Sequence, residues 1–338
     1  MSKWYPNAKV YCDGFHYIAI PYEPNPSARM KHVKEEPLVE VEDDTAAPMQ
    51  QADEETSDAC VEGTPTEDAT STESSKKTRY TTRKDEFERL YQESTDMTPK
   101  RRRKYILGEM KKLFSDDKKM WEYVFEQLEL KDKAFQARRQ RFLRKAHLNK
   151  FNYFVTFTYD SAKIDEATFK CKLLRTLQNC HVKRDWTYMG VWERGSETDR
   201  LHFHCLMYIP EGKMLGEIVE TVEYKKKTGR REPYSHNTFF DERYGRNEFD
   251  YIEPKGPQFL GTTIDYILKY IEKTGEKIIY SRGLPMYVMS DIVEKDVATR
   301  TGLDDRKLLL FDDFDCWDEG VYIGVNSEET RAQLRKSN

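Results

Sequence analysis

The chain has no run of eighteen apolar residues, so no membrane-spanning helix and no membrane partner are expected. Its opening residues, Met1-Ser2-Lys3-Trp4-Tyr5-Pro6, lack the apolar stretch of a secretory signal. Six cysteines (Cys12, Cys60, Cys171, Cys180, Cys205 and Cys316) are scattered, with no C-x-x-C among them. That argues against a zinc ribbon or a disulfide scaffold and for a reducing, cytoplasmic setting. No G-x-x-x-x-G-K-[ST] segment is present, so no P-loop ATPase is signalled, and any motor must be supplied by another protein.

Apolar content is also low, 38% against 34% charged over 338 residues, so part of the chain is expected not to fold into a core. The net charge of -4 hides a split. Ala28 to Ser75 holds 14 acidic and 3 basic residues, whereas Lys76 to Lys150 holds 23 basic and 12 acidic.

Five segments follow from this. Residues 1–27 carry β-branched and aromatic residues on either side of Asp13-Gly14, a small hairpin. Residues 28–80 are acidic and poor in aromatics, a disordered linker. Residues 81–150 are basic and helical, with starts at Thr98-Pro99 and Ser115-Asp116-Asp117 and a third helix from Lys131 to Leu148. Clusters at Arg101 to Lys104 and at Arg138, Arg139 and Arg141 suit phosphate backbones, although basic helix faces are often only solvated. Residues 151–290 form the catalytic region, and 291–338 an acidic C-terminal segment to which no role is assigned.

Within 151–290 the order is strand, helix, strand, strand, helix, strand, that of an α+β fold with an antiparallel sheet and helices on one face. A projecting hairpin carries Lys225, Lys226 and Lys227 near its tip, and Lys277 to Tyr280 with Met286 to Met289 suggest a closing hairpin. On the strand Arg200 to Ile209, His202 and His204 leave one face two residues apart. If the loop before it is Ser196 to Asp199, Glu193 of the preceding strand faces His202, with Cβ atoms ~5 Å apart. Two imidazoles and one carboxylate make a divalent-cation site with open positions. A histidine pair on a strand is also common in plain cores.

A later helix holds Tyr266 and Tyr270 four residues apart, on one face and ~6 Å apart at Cβ, with Lys269 and Lys273 near the same stripe. A phenol attacks poorly at neutral pH unless a cation stabilises the phenolate and a metal polarises its target. Two such tyrosines also suit a wetted rim.

Taken in order, three features resemble the HUH endonuclease superfamily, the rolling-circle replication initiators or Rep proteins. They are the strand Phe154-Val155-Thr156-Phe157-Thr158, the His-x-His strand preceded by an acidic residue, and Tyr266-x-x-Lys269-Tyr270-x-x-Lys273. The two-tyrosine helix is similar to that of initiators of single-stranded DNA phages such as the microviruses. The resemblance spans about residues 150–290. It implies a five-stranded, ferredoxin- or RRM-like core, His202, His204 and Glu193 as ligands of Mg²⁺ or Mn²⁺, Tyr266 as nucleophile, Tyr270 as second tyrosine and Lys269 as the motif lysine. The implied activity is site-specific nicking and joining of single-stranded DNA at a replication origin, leaving a 5′-phosphotyrosine and a free 3′-OH. DNA would be held by Arg138, Arg139, Arg141, Lys225 to Lys227 and Lys273. A host helicase and DNA polymerase, in the cytoplasm of a bacterial host cell, would complete replication. A conjugative relaxase or a single-strand transposase would use the same chemistry, although relaxases place the nucleophile before the histidine motif. A non-catalytic RRM-like nucleic-acid-binding module is the alternative of a different class.

Overall fold

In a computed structural model of the chain, β1 (Trp4–Cys12) and β2 (Tyr17–Ile20) pair antiparallel around Asp13-Gly14, where Gly14 turns the backbone with φ +100°. The structure describes residues 3–14, 16–21, 82–195, 200–225, 229–274, 277–302 and 306–337. The acidic linker expected over 28–80 lies outside the described residues.

α1 (Arg83–Glu93) opens with a capping box, in which the Thr82 hydroxyl accepts from the Asp85 amide and the Asp85 carboxylate accepts from the Thr82 amide. α2 (Pro99–Met110) has proline at its first position, where a missing N–H costs nothing. α3 (Asp117–Leu148) runs 32 residues from its Asp116 cap. The sequence predicts two helices there, divided before Lys131. Neither glycine nor proline interrupts that stretch, and the ladder continues unbroken. Phe87, Leu90, Ile106, Met110, Met120 and Val124 form the core these three helices share.

The chain continues as β3 (Tyr153–Thr158), α4 (Glu166–Arg184), β4 (Thr187–Arg194), β5 (Leu201–Tyr208), β6 (Ile218–Lys225), β7 (Arg230–Asn237), α5 (Thr238–Tyr244), β8 (Asn247–Tyr251), α6 (Gly256–Thr274) and β9 (Ile279–Tyr280). β6 and β7 make a separate two-stranded hairpin. The other strands form an antiparallel five-stranded sheet ordered β8-β3-β5-β4-β9. Helices cover both of its faces, not one. β5 is apolar on both sides, so each side demands a cover. Phe203, Cys205 and Met207 pack with Phe169, Leu173 and Leu177 of α4. On the other side Leu206, Met189 and Val191 pack with Ile264, Ile267, Leu268 and Ile271 of α6, and with Phe142 and Ala146 of α3. At Gly190 of β4 a Cβ would stand 2.5 Å from the Cβ of Cys205 and from the His204 carbonyl oxygen, so the strands meet there only because the residue is glycine.

The remaining elements are β10 (Tyr287–Val293), β11 (Val297–Thr301), β12 (Lys307–Leu310), β13 (Asp315–Asp318), β14 (Val321–Val325), α7 (Glu328–Gln333) and β15 (Lys336–Ser337). With β1 and β2 they build an eight-stranded sheet ordered β11-β12-β2-β1-β10-β13-β14, β15 pairing with β10. The N-terminal hairpin and the acidic C-terminal segment therefore share one sheet, and the boundary placed at 290 falls inside β10. The closing hairpin expected across Ser281 to Gly283 does not form, because β9 joins β4 while β10 joins β1. Pro285 has no N–H for a ladder, and α3 takes the intervening carbonyls: Lys145 donates to that of Leu284 and Asn149 to that of Pro285. Among the described residues, no helix is long and apolar enough to cross a membrane.

Candidate active site

Strand alternation places Thr156 and Thr158 of β3, Glu193 of β4 and His202 and His204 of β5 on the sheet face that α6 covers. The register is the one expected, with Glu193 opposite His202, Thr158 opposite His202 and Thr156 opposite His204. The carboxylate of Glu193, however, reaches diagonally, and its Oε2 lies 2.7 Å from Nε2 of His204. His204 is 5% exposed and His202 half-buried. The two imidazole centres are 6.0 Å apart.

Each imidazole is fixed by a threonine hydroxyl. Thr156 Oγ1 lies 3.0 Å from Nδ1 of His204, and Thr158 Oγ1 lies 2.7 Å from Nδ1 of His202. Neither threonine is singled out by the sequence reading. Their signal was the alternation of β3, in which every second residue from Phe154 shares the histidine face.

α6 turns Ile264, Ile267, Leu268 and Ile271 into the core. Its next stripe brings Tyr266 and Tyr270 over the histidines. The Tyr270 ring stacks on that of His204 at 5.2 Å, and the Tyr266 ring meets His204 edge-on at 5.5 Å. The two tyrosine rings are 4.9 Å apart, and Phe154 closes the cluster at 6.0 Å from Tyr266. Tyr266 is 39% exposed, whereas Tyr270 is half-buried and hydrogen-bonded to Tyr266 and Glu193. Burial first, then those bonds, raise the Tyr270 phenol far above its ordinary value of 10. Burial, with a smaller contribution from His204, lowers the His202 imidazole below 6.5. Lys269 is exposed on the outer side of the same helix.

Two imidazoles oriented through Nδ1 and one carboxylate suit a divalent cation, because the orienting bonds leave each Nε2 to coordinate. The three donors are not gathered about one point. Among the described residues no three His, Cys, Asp or Glu side chains are grouped closely enough to hold a metal ion. The Glu193–His204 hydrogen bond occupies the position between two of the donors. A cation there would displace the bonded proton, a change that leaves the donor set itself intact.

Of the basic residues expected to hold DNA, Arg139 and Arg141 are exposed on α3 and Arg138 is half-buried. Arg144 and Lys145, in the same basic run, are structural: Arg144 pairs with Asp13 at 2.9 Å and Lys145 donates to the Leu284 carbonyl. Lys226 and Lys227 lie outside the described residues, as do the side chains of Lys225 and Lys273.

Residues 152–275 match a family model, that of the replication-associated proteins of the ORF2 and gene-2-protein type. The matched span opens just before β3 and closes just after α6, so it takes in both threonines, Glu193, both histidines and both tyrosines. It supports a rolling-circle replication initiator, and with it DNA replication and binding at an origin. No curated protein and no solved structure matches the chain.

Proposed function

We propose that this protein initiates rolling-circle DNA replication by nicking and rejoining one strand through a tyrosine ester, as an HUH-type two-tyrosine endonuclease. The observation that carries the reading is the stacking of Tyr270 on His204 with Tyr266 alongside, on the face that also holds Glu193 and His202. A histidine pair serving only as core needs no phenols above it, and a base-stacking platform needs no carboxylate beneath.

Glu193, His202 and His204 would hold Mg²⁺ or Mn²⁺, which when bound polarises the scissile phosphate and spreads its developing charge. Tyr266, the more exposed phenol, attacks phosphorus in line. The new bond joins its oxygen to the phosphate, the bond to the 3′ oxygen breaks, and that oxygen takes up a proton as the phenol loses one. The products are a 5′-phosphotyrosine and a 3′-OH that primes synthesis. The ester keeps the bond energy of the phosphodiester, so rejoining requires no ATP, in keeping with the missing P-loop. Tyr270, one turn on, attacks the regenerated origin while Tyr266 still holds the first end. Lys269 stands where it would offset phosphate charge. Unwinding and synthesis fall to a helicase and a polymerase of a bacterial host, in its cytoplasm.

The test uses single-stranded DNA bearing the origin, labelled at its 3′ end, with Mn²⁺ and a denaturing gel. The wild-type protein should carry label, Tyr266→Phe should lose first-round capture, and His202→Ala should lose the metal dependence. An undiminished adduct in the Tyr266→Phe, Tyr270→Phe double variant would end the proposal.

A further inference from the structure

The proposed chemistry makes no use of an aromatic and basic surface on α2 and α3. Trp121 and Phe125, one turn apart on α3, are 47% and 41% exposed, and their rings stack at 5.5 Å with 22° between planes. The Arg103 guanidinium of α2 lies 4.8 Å from the centre of the Phe125 ring. α2 holds five Lys and Arg residues against one acid, Glu109, which is paired with Lys112. Arg102 is used internally, donating to the carbonyls of Ser94 and Thr95. Lys100, Arg101, Arg103 and Lys104 are exposed, and among the described residues none of them makes an ion pair.

The bundle's own core, Phe87 to Val124, is complete without the two rings, so folding does not explain them. Arg139 follows Trp121 by eighteen residues, five helical turns, and so lies on the same side of α3 about 27 Å further on. Asp132 lies on that stripe between them. Beyond Arg139, α3 packs through Phe142 and Ala146 against the tyrosine helix. The stripe therefore runs from the exposed rings toward the nicking site.

We propose that this surface is a second contact for single-stranded DNA, with bases stacked on Trp121 and Phe125 and phosphates held by Lys100, Arg103 and Lys104. Aromatic faces beside unpaired cations suit a strand whose bases are unstacked and whose backbone is anionic, and such stacking tolerates any sequence. Charge complementarity favours a polyanion over a basic or purely apolar partner. At ~3.4 Å per nucleotide the stripe spans about eight nucleotides. The inference rests on the nicking proposal only for the choice of ligand.

The test is fluorescence anisotropy of labelled oligothymidylate with the full-length protein in EDTA, where no covalent step contributes. Trp121→Ala with Phe125→Ala is expected to weaken binding about tenfold or more, the weight of one or two base stacks. Trp121→Phe should restore most of that affinity and Trp121→Leu should not, since leucine keeps apolar area but has no π face. Lys100→Gln with Arg103→Gln should flatten the dependence of log K on log salt by about 0.7 for each phosphate no longer neutralised. Wild-type affinity in Trp121→Leu, with an unchanged salt slope in the charge variant, would overturn the inference and assign the surface to an apolar protein partner. Failure of the tyrosine adduct would strike the nicking proposal and leave this binding result standing.

Discussion

Thr156→Val isolates what the hydroxyls beneath the histidines contribute. Valine keeps the branched shape that suits a central strand and removes one oxygen. The bond it removes, 3.0 Å to Nδ1 of His204, lies beneath a ring that is 5% exposed. Water has no ready access to that nitrogen, so the cost is that of a buried polar atom left unpaired, about 1–3 kcal/mol. Thr158→Val removes a shorter bond, 2.7 Å, from a ring that is only half-buried. There solvent replaces the hydroxyl, and the cost falls to about 0.5–1.5 kcal/mol. Distance alone would rank the two the other way, so the ordering tests whether burial governs. The same hydroxyls fix which nitrogen carries the proton, and loss of such an orienting bond typically lowers metal affinity about 10- to 100-fold. Urea unfolding reads the stability, and titration with Mn²⁺ followed by electron paramagnetic resonance reads the affinity. A Thr156→Val protein as stable as wild type with undiminished Mn²⁺ binding would refute the reasoning, as would a larger loss in Thr158→Val.

Three further outcomes are expected. Glu193→Gln should keep its link to His204 as a neutral hydrogen bond, with melting within a few degrees of wild type by calorimetry, while Mn²⁺ affinity falls at least tenfold; equal affinity would remove Glu193 from the ligand set. Gly190→Ala should cost about 1–3 kcal/mol or more in denaturant unfolding, since its Cβ would press on backbone at 2.5 Å, and an unperturbed protein would show that β4 and β5 can part there. Burial holds the imidazoles of His202 and His147 below 6.5 in the fold, so the unfolded chain binds protons more readily. Their contribution is complete above about pH 6.5 and is lost as pH falls through the folded values, above the range where carboxylates titrate. Calorimetry from about pH 7.5 to about pH 5 should show falling stability, and a flat profile would contradict the assignment.

What the sequence made legible here is what is local. The facing of Glu193 and His202 follows from a short loop and the two-residue strand period, and the shared stripe of Tyr266 and Tyr270 from the helical period. The diagonal reach of Glu193 to His204 was not legible, because backbone register does not say which way a flexible carboxylate turns. Nor was the cover on the second sheet face, which depends on α3, a helix from a segment read as separate, packing on α6. The larger miss was the eight-stranded sheet. It pairs Lys9 with Met289 and Tyr17 with Leu310, partners too distant along the chain for any periodicity to announce. The Asp312 to Glu319 stretch looked like an acidic tail because its buried residues, Phe314 and Cys316, are few and set among carboxylates.

That sheet lies largely outside residues 152–275, yet it bears on the site. α6 is held against β4 by one apolar stripe, and its back is closed by α3. α3 in turn is tied to both ends of the chain. Arg144 pairs with Asp13 at 2.9 Å and lies 4.0 Å from the centre of the Tyr11 ring, while Asn149 reaches the Pro285 carbonyl at 2.8 Å just before β10. Lys145, 6% exposed, donates to the Leu284 carbonyl from beneath. A tyrosine nucleophile gains from being held at attack distance, and a displacement of about 1 Å can cost about two orders of magnitude in rate. A helix resting on a single stripe would drift by that much. The strands at the two ends of the chain thus act as a brace, and the separation of Tyr266 and Tyr270 from His204 is set as much by residues outside the matched family span as by those within it.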